Sequence, residues 1–276
     1  MIRHLTITQL VENTADAMGL LGEHGVAWFI EADEQCLLFD TGQGQTLRHN
    51  AGRLGLSLER VEAIALSHGH YDHTGGLMDA LAMTGAVDLY LHPAALEPKY
   101  NRDGRAIGTP FPDADALRAQ TRRLIISSEP TRMAPGIGLT GEIPRRHAIE
   151  DTGGPFYRDP QRGQPDLIPD DQALYLDTPA GLVVLLGCGH SGVVNTLEHI
   201  QALTDQRPIH AVIGGTHLLR ADADRLAFTA QALERFGIAY LAPIHCTGLP
   251  AVCYFRDRFP SQFRESPVGT RHQFGE

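Results

Sequence analysis

Four cysteines in 276 residues, Cys36, Cys188, Cys246 and Cys253, show no paired spacing such as C-x-x-C. A disulfide framework is thereby excluded, and reduced thiols are expected. No apolar run approaches the ~18 residues of a spanning helix, which excludes a membrane anchor of that kind. The opening "MIRHLTITQLVENT" lacks the basic start, apolar block and small-residue cleavage site of a secretory leader, so a cytoplasmic location is expected. Basic residues are in deficit: 23 Lys and Arg against 33 Asp and Glu, a net charge of −10. That balance argues against non-specific nucleic-acid binding, which needs clustered cations. It leaves an anionic small molecule possible as a partner, because bound metal cations invert the local field. No internal repeat of 20–50 residues is visible, and the oligomeric state is not legible.

What the chain does have is "LSHGHYDHTGG", Leu66 to Gly76, in which His68, His70, Asp72 and His73 fall within six positions. Imidazole and carboxylate are common ligands for zinc and other first-row metals. The apolar run "VEAIALS" before them reads as a buried strand, and a helix is expected over about 76–83. The cluster therefore stands at a strand's C-terminal end, where ligands of α/β folds gather. His68 and His70 lie on one side of an extended loop, and Asp72 and His73 point elsewhere. One metal cannot easily use all four, whereas two metals ~3.5–4 Å apart can.

Three further histidines stand where apolar strands run out. His190 follows "VVLLGCG", His217 follows "HAVIGGT" and His245 follows "YLAPI". His4, His49, His92, His199, His210 and His272 lack that setting and read as surface or structural. Asp40, ending "LLFD", reads either as an acceptor orienting a ligand histidine or as a turn residue.

Elsewhere, "RHLTITQLV", "VAWFIEA", "QCLLFDTG", "QALYLDT" and "IHAVIGG" read as strands. Helices are expected over about 44–54, in "GVVNTLEHIQALT" and in "ADRLAFTAQALERFG", the last closed by Gly237. An α/β sandwich with helices outside packed sheets fits this order. The middle differs. Eleven of 17 prolines lie between Pro93 and Pro169, interleaved with many arginines. We expect one domain over 1–276, with an irregular insertion at about 93–172. That insertion is either a solvated loop or a cover over the site. Arg145 and Arg146 are candidates for gripping a phosphate, or else plain surface charge.

The H-x-H-x-D-H spacing resembles the signature of the metallo-β-lactamase superfamily. "EHGVAWFIE", "LLFDTGQG", "TGEIPR", "LLGCGHSGVVNT", "IGGTHL" and "IHCTG" follow in an order resembling the dihydropterin–ribofuranosylaminobenzene phosphate synthase-like subgroup. The resemblance implies an αβ/βα sandwich of two facing mixed sheets. It implies a first metal on His68, His70 and His190, and a second on Asp72, His73 and His245. One or two divalent transition metals are expected, with zinc favoured and manganese, iron or nickel also suited. The superfamily's bridging aspartate after a late strand has no counterpart here. Either the bridge is lost or another group replaces it; His217 reads instead as a catalytic or substrate-facing residue.

The leading expectation is a hydrolase that uses a metal-bound hydroxide, oriented by Asp72, on a small phosphate-containing substrate. Two alternatives remain. One is a transferase joining a dihydropterin methyl diphosphate to an aminobenzene ribofuranosyl phosphate. The other is a metal-binding or sensing protein without turnover.

Overall fold

The computed structural model describes residues 1–111 and 113–275. Pro112, one of the prolines of the middle segment, lies outside the described residues. The chain opens with β1 (His4–Val11), β2 (Ala27–Ala32) and β3 (Gln35–Phe39). It continues through α1 (Leu47–Leu54), β4 (Ala63–Ala65), α2 (Tyr71–Thr74), α3 (Leu77–Thr84), β5 (Asp88–Leu91), α4 (Ala114–Arg118) and β6 (Arg123–Ile126). The second half comprises β7 (Thr131–Ala134), β8 (Ile137–Leu139), β9 (Ala173–Thr178), β10 (Gly181–Leu186), α5 (Val193–Leu203) and β11 (Ile209–Gly215). It ends with α6 (Ala223–Phe236), β12 (Tyr240–Ile244), α7 (Leu249–Arg258) and β13 (Arg271–Gly275).

Two mixed sheets result. One runs β13-β1-β2-β3-β4-β5-β6 and the other β12-β11-β10-β9-β8-β7. In the first, β13 to β3 pair antiparallel and β3 to β6 parallel. The second mirrors it, parallel from β12 to β10 and antiparallel from β10 to β7.

The strand "GLVVLL" of β10 shows why the sheets stack as they do. All six residues are buried. Val183 and Leu185 join Ile7, Trp28, Ile30 and Ile213 in the core between the sheets. Leu182, Val184 and Leu186 face the other way, onto Val193, Leu197 and Ile200 of α5 and Leu233 of α6. Successive strand side chains point to opposite faces, so a wholly apolar strand must be covered on both. The first sheet is covered likewise by Leu47 and Ala51 of α1 and Leu77 and Leu81 of α3. The layers are therefore helix, sheet, sheet, helix, as the sequence leads one to expect. Each such buried aliphatic side chain contributes roughly 1.5–3 kcal/mol.

Helix ends follow local chemistry. Asp222 accepts from the Arg225 N–H at the start of α6, and Gly237 ends it at φ 65 in the left-handed region.

The middle segment departs from the expected irregular insertion. Most of 93–172 is loop, yet β6, β7 and β8 lie within it and complete the edges of both sheets. The segment is the crossover from one sheet to the other. It also buries an ion network: Lys99 Nζ lies 3.0 Å from Asp166 Oδ2 and 2.7 Å from Asp170 Oδ1. Asp170 Oδ2 in turn accepts from the backbone N–H of Gly69, 2.7 Å away. Residues from the crossover thus fix the loop that carries His68 and His70. No helix among the described residues is long and apolar enough to cross a membrane.

Candidate metal centre

The parallel strands β4, β10, β11 and β12 each end along one edge of the stacked sheets, and each releases a histidine there. His68 and His70 follow β4, His190 follows β10, His217 follows β11, and His245 follows β12. His70 caps the N-terminus of α2, which then carries Asp72 and His73. The expected metal-binding residues do meet. His68 Nε2 lies 2.9 Å from His70 Nδ1, and the His68 and His190 rings are 5.0 Å apart. Asp72 Oδ2 lies 3.4 Å from His245 Nε2 and 3.8 Å from His73 Nε2. Ligands bonded at ~2.0–2.1 Å to one tetrahedral zinc stand roughly 3.3–3.4 Å from one another.

Four imidazoles have the ring nitrogen away from the cluster engaged. Asp40 Oδ2 accepts from His73 Nδ1 at 2.7 Å. Ser67 Oγ donates to the same Asp40 Oδ2 at 2.7 Å and sits 2.9 Å from His68 Nδ1. The Thr152 carbonyl accepts from His190 Nδ1 at 2.8 Å, and Asn13 Oδ1 lies 2.9 Å from His245 Nδ1. An acceptor on Nδ1 puts the proton there and leaves the Nε2 lone pair facing inward. The Nε2 atoms of His190 and His245 are buried without a hydrogen-bond partner. Buried polar groups are rarely left unpaired, so orphaned lone pairs converging on one point fit a cation. His70 is the exception in tautomer: its Nδ1 meets the His68 lone pair, and its buried Nε2 lacks a partner.

Electrostatics agree with this donor set. Burial, reinforced by neighbouring imidazoles, holds His68 and His190 well below the usual histidine range. Burial pulls His70 and His245 down to about 4 and His217 to about 3. These rings are neutral, the form that donates a lone pair. Burial pushes Asp72 upward, but the His73 charge and the hydrogen bond from His24 outweigh it and hold the carboxyl well below its ordinary range. His73 behaves oppositely. Burial lowers it, yet Asp72 and Asp40 raise it to about 9. Its proton stands where a cation would, and metal binding generally releases such protons.

The backbone is bent to this purpose. Asp40, His217 and His245 sit at φ 60, 48 and 52. That left-handed region costs a residue with a Cβ roughly 1–2 kcal/mol. Such strain persists where surroundings enforce it, commonly at functional sites. For His245 the enforcement is visible: buried Glu12 accepts its backbone N–H at 2.9 Å.

Three residues beside the cluster are not among the sequence candidates. Glu12 and Asn13 grip His245 from the loop after β1. His24 Nε2 lies 3.2 Å from Asp72 Oδ2, with its side chain about half exposed. Its place inside "EHGVAWFIE" is the only hint.

A cavity of about 450 Å³ opens over the cluster. His70, Asp72, Cys188, His190, His217 and His245 form its floor. Tyr71, Ile107 and Phe156 give it apolar walls, and Arg102 and Arg220 stand at its rim. His217 lies against His190 with ring centroids 4.2 Å apart, and its buried Nδ1 has no partner. Arg145 and Arg146 do not line the cavity. The Arg145 guanidinium donates to the Leu167 carbonyl at 2.8 Å. Basic residues of the loops, not of "IPRR", face the site.

The layered fold and the histidine–aspartate cluster at one sheet edge define a class. Residues 21–199 match the family model of the metallo-beta-lactamase superfamily, and the chain belongs to that superfamily. It is 30% identical over 263 residues, 90% of this chain and 88% of the other, to the 7,8-dihydropterin-6-methyl-4-(beta-D-ribofuranosyl)-aminobenzene-5'-phosphate synthase of Methanocaldococcus jannaschii. It is 32% identical to the uncharacterized protein MJ0448 of the same organism, over 88% of this chain and 91% of the other. Among solved structures, Tm1679, described as a metal-dependent hydrolase of the beta-lactamase superfamily, superposes with a TM-score of 0.84. That pair shares 30% sequence identity and covers 99% of this chain and 100% of the other.

Proposed function

We propose that this chain is a metal-dependent hydrolase acting on a small anionic substrate that carries a phosphate and a planar ring. One observation carries the reading: a converging histidine–aspartate donor set lies at the floor of a cavity that opens to solvent. His68, His70 and His190 would hold one divalent cation, and Asp72, His73 and His245 a second. When bound, such cations act as Lewis acids and lower the pKa of coordinated water toward ~7. The remaining roles belong to the chain. Asp72, ionised and touched by His24, orients the nucleophile and leaves His24 at the solvent side to take up a proton. Arg102 and Arg220 bind the anionic end of the substrate at the rim, since guanidinium matches phosphate geometry. Phe156 offers a face for a planar ring, and His217 reaches the substrate from the side of His190.

A second reading, transfer to an aromatic amine, is favoured by the name of the Methanocaldococcus relative and by the apolar walls. One experiment separates the two. Metal-loaded protein is given a dihydropterin methyl diphosphate, with and without an aminobenzene ribofuranosyl phosphate. Diphosphate release without the acceptor supports hydrolysis, and release only with it supports transfer. No release in either case, together with no turnover of nitrophenyl phosphate esters, overturns the catalytic reading in favour of a binding or sensing role.

A further inference from the structure

The two donor sets need something between them, and no acid other than Asp72 is grouped with their ligand atoms. Asp40 holds Ser67 and His73. Glu12 holds the backbone N–H groups of Thr14 and His245. Glu150 accepts from Val194 and Asn195. Asp171 accepts the Ser191 N–H through Oδ2 while its Oδ1 is buried without a partner, and Asp171 is not grouped with the ligand atoms of either set. The side chain that lies between the sets is Cys188. Its sulfur is grouped within 4.8 Å of the ligand atoms of His68 and His190, and equally with those of His73 and His245. It stands 3.1 Å from His73 Nε2. It is buried, at 3% exposure, in the turn after β10, two residues before His190. The orphaned Nε2 atoms of His190 and His245 are buried beside it and face the same space.

We propose that Cys188 is the donor shared by the two metal positions, its thiolate sulfur taking the place of a bridging carboxylate. Thiolate is a strong ligand for zinc and cobalt, and sulfur has lone pairs for two cations at once. The balance is simple: the S–H bond breaks, its proton leaves to solvent, and S–metal bonds form. Cys246, whose Sγ donates to the Cys188 carbonyl at 3.4 Å, is a neighbour and no ligand in this assignment. His217 is likewise left free to meet the substrate.

The inference rests on the two-metal reading above, and its test distinguishes the failure of each. Wild-type protein is loaded with zinc and examined by X-ray absorption, and with cobalt(II) by near-ultraviolet absorption. We expect two metal equivalents, a sulfur scatterer at ~2.3 Å and a sulfur-to-cobalt charge-transfer band. The band should vanish in Cys188→Ser and survive in Cys246→Ser. Cys188→Asp should keep both equivalents where Cys188→Ala loses at least one. Protein that takes up no metal defeats the metal-centre reading itself. Metal bound with nitrogen and oxygen scatterers alone defeats only the sulfur assignment. A band lost in Cys246→Ser and kept in Cys188→Ser defeats it too. If Cys188→Ser fails to fold, Cys246→Ser decides the point: a band kept there leaves Cys188 as the sulfur beside the ligand set, and a band lost there assigns the sulfur to Cys246.

Discussion

Asp40 Oδ2 lies 2.7 Å from His73 Nδ1, and both side chains are fully buried. The same oxygen takes the Ser67 hydroxyl, which touches His68. One carboxylate therefore orients a histidine of each proposed metal position. Loss of partners of this kind generally weakens metal binding 10–100-fold. Asp40→Ala should lower zinc affinity by that order, measured by competition with a chelating dye. Unchanged affinity would reduce Asp40 to the turn residue that its left-handed backbone also suits.

His217 separates substrate contact from metal binding. It lines the cavity, and its Nδ1 is buried and unpartnered. His217→Ala should keep its full metal content and lose activity by 10²-fold or more, the usual range for a positioned acid–base group. A missing metal equivalent in that variant would make it a ligand.

Arg220 should act on binding. Arg220→Ala should raise KM about tenfold for a phosphate-bearing substrate and leave kcat within about threefold, as loss of uniform binding does. Arg145→Ala, whose guanidinium is spent on the Leu167 carbonyl, should leave KM unchanged. The reverse pattern would restore "IPRR" as the phosphate grip.

A pH effect is expected far from the site. Burial holds His272 down to about 4, between Tyr240 and Ser266, against 6.5 for an ordinary histidine. The unfolded chain therefore takes up a proton below pH 6.5 that the folded chain refuses until about pH 4. Stability falls across that window as pH drops, and the loss levels off below it. At pH 5 this one group costs about 2 kcal/mol relative to pH 7. Urea unfolding of His272→Gln should show a pH 7 to pH 5 difference smaller by about that amount. An identical difference in both proteins would remove His272 from the account.

Strands flanking the site were legible because they are buried on both faces and read as unbroken apolar runs, "GLVVLL" above all. The histidines at their ends were legible for the same reason. The strands β6 and β7 were not: as edge strands they are half exposed and carry Arg123 and Arg132, so neither alternation nor an apolar run marks them. Asn13 and Glu12 act through one hydrogen bond each across 232 and 233 residues of chain, a relationship no local pattern encodes. The charge of Arg145 is visible in the sequence, whereas the carbonyl it reaches lies 22 residues away and is not.

The central claim is that the clustered histidines and aspartate hold transition metal. Elemental analysis of the purified chain beside the His68→Ala, His70→Ala double variant tests it most directly, with circular dichroism showing that both are folded. At least one equivalent, and two when both positions fill, is predicted for the wild type, and a loss of metal for the variant. Equal metal in the two proteins would contradict the assignment.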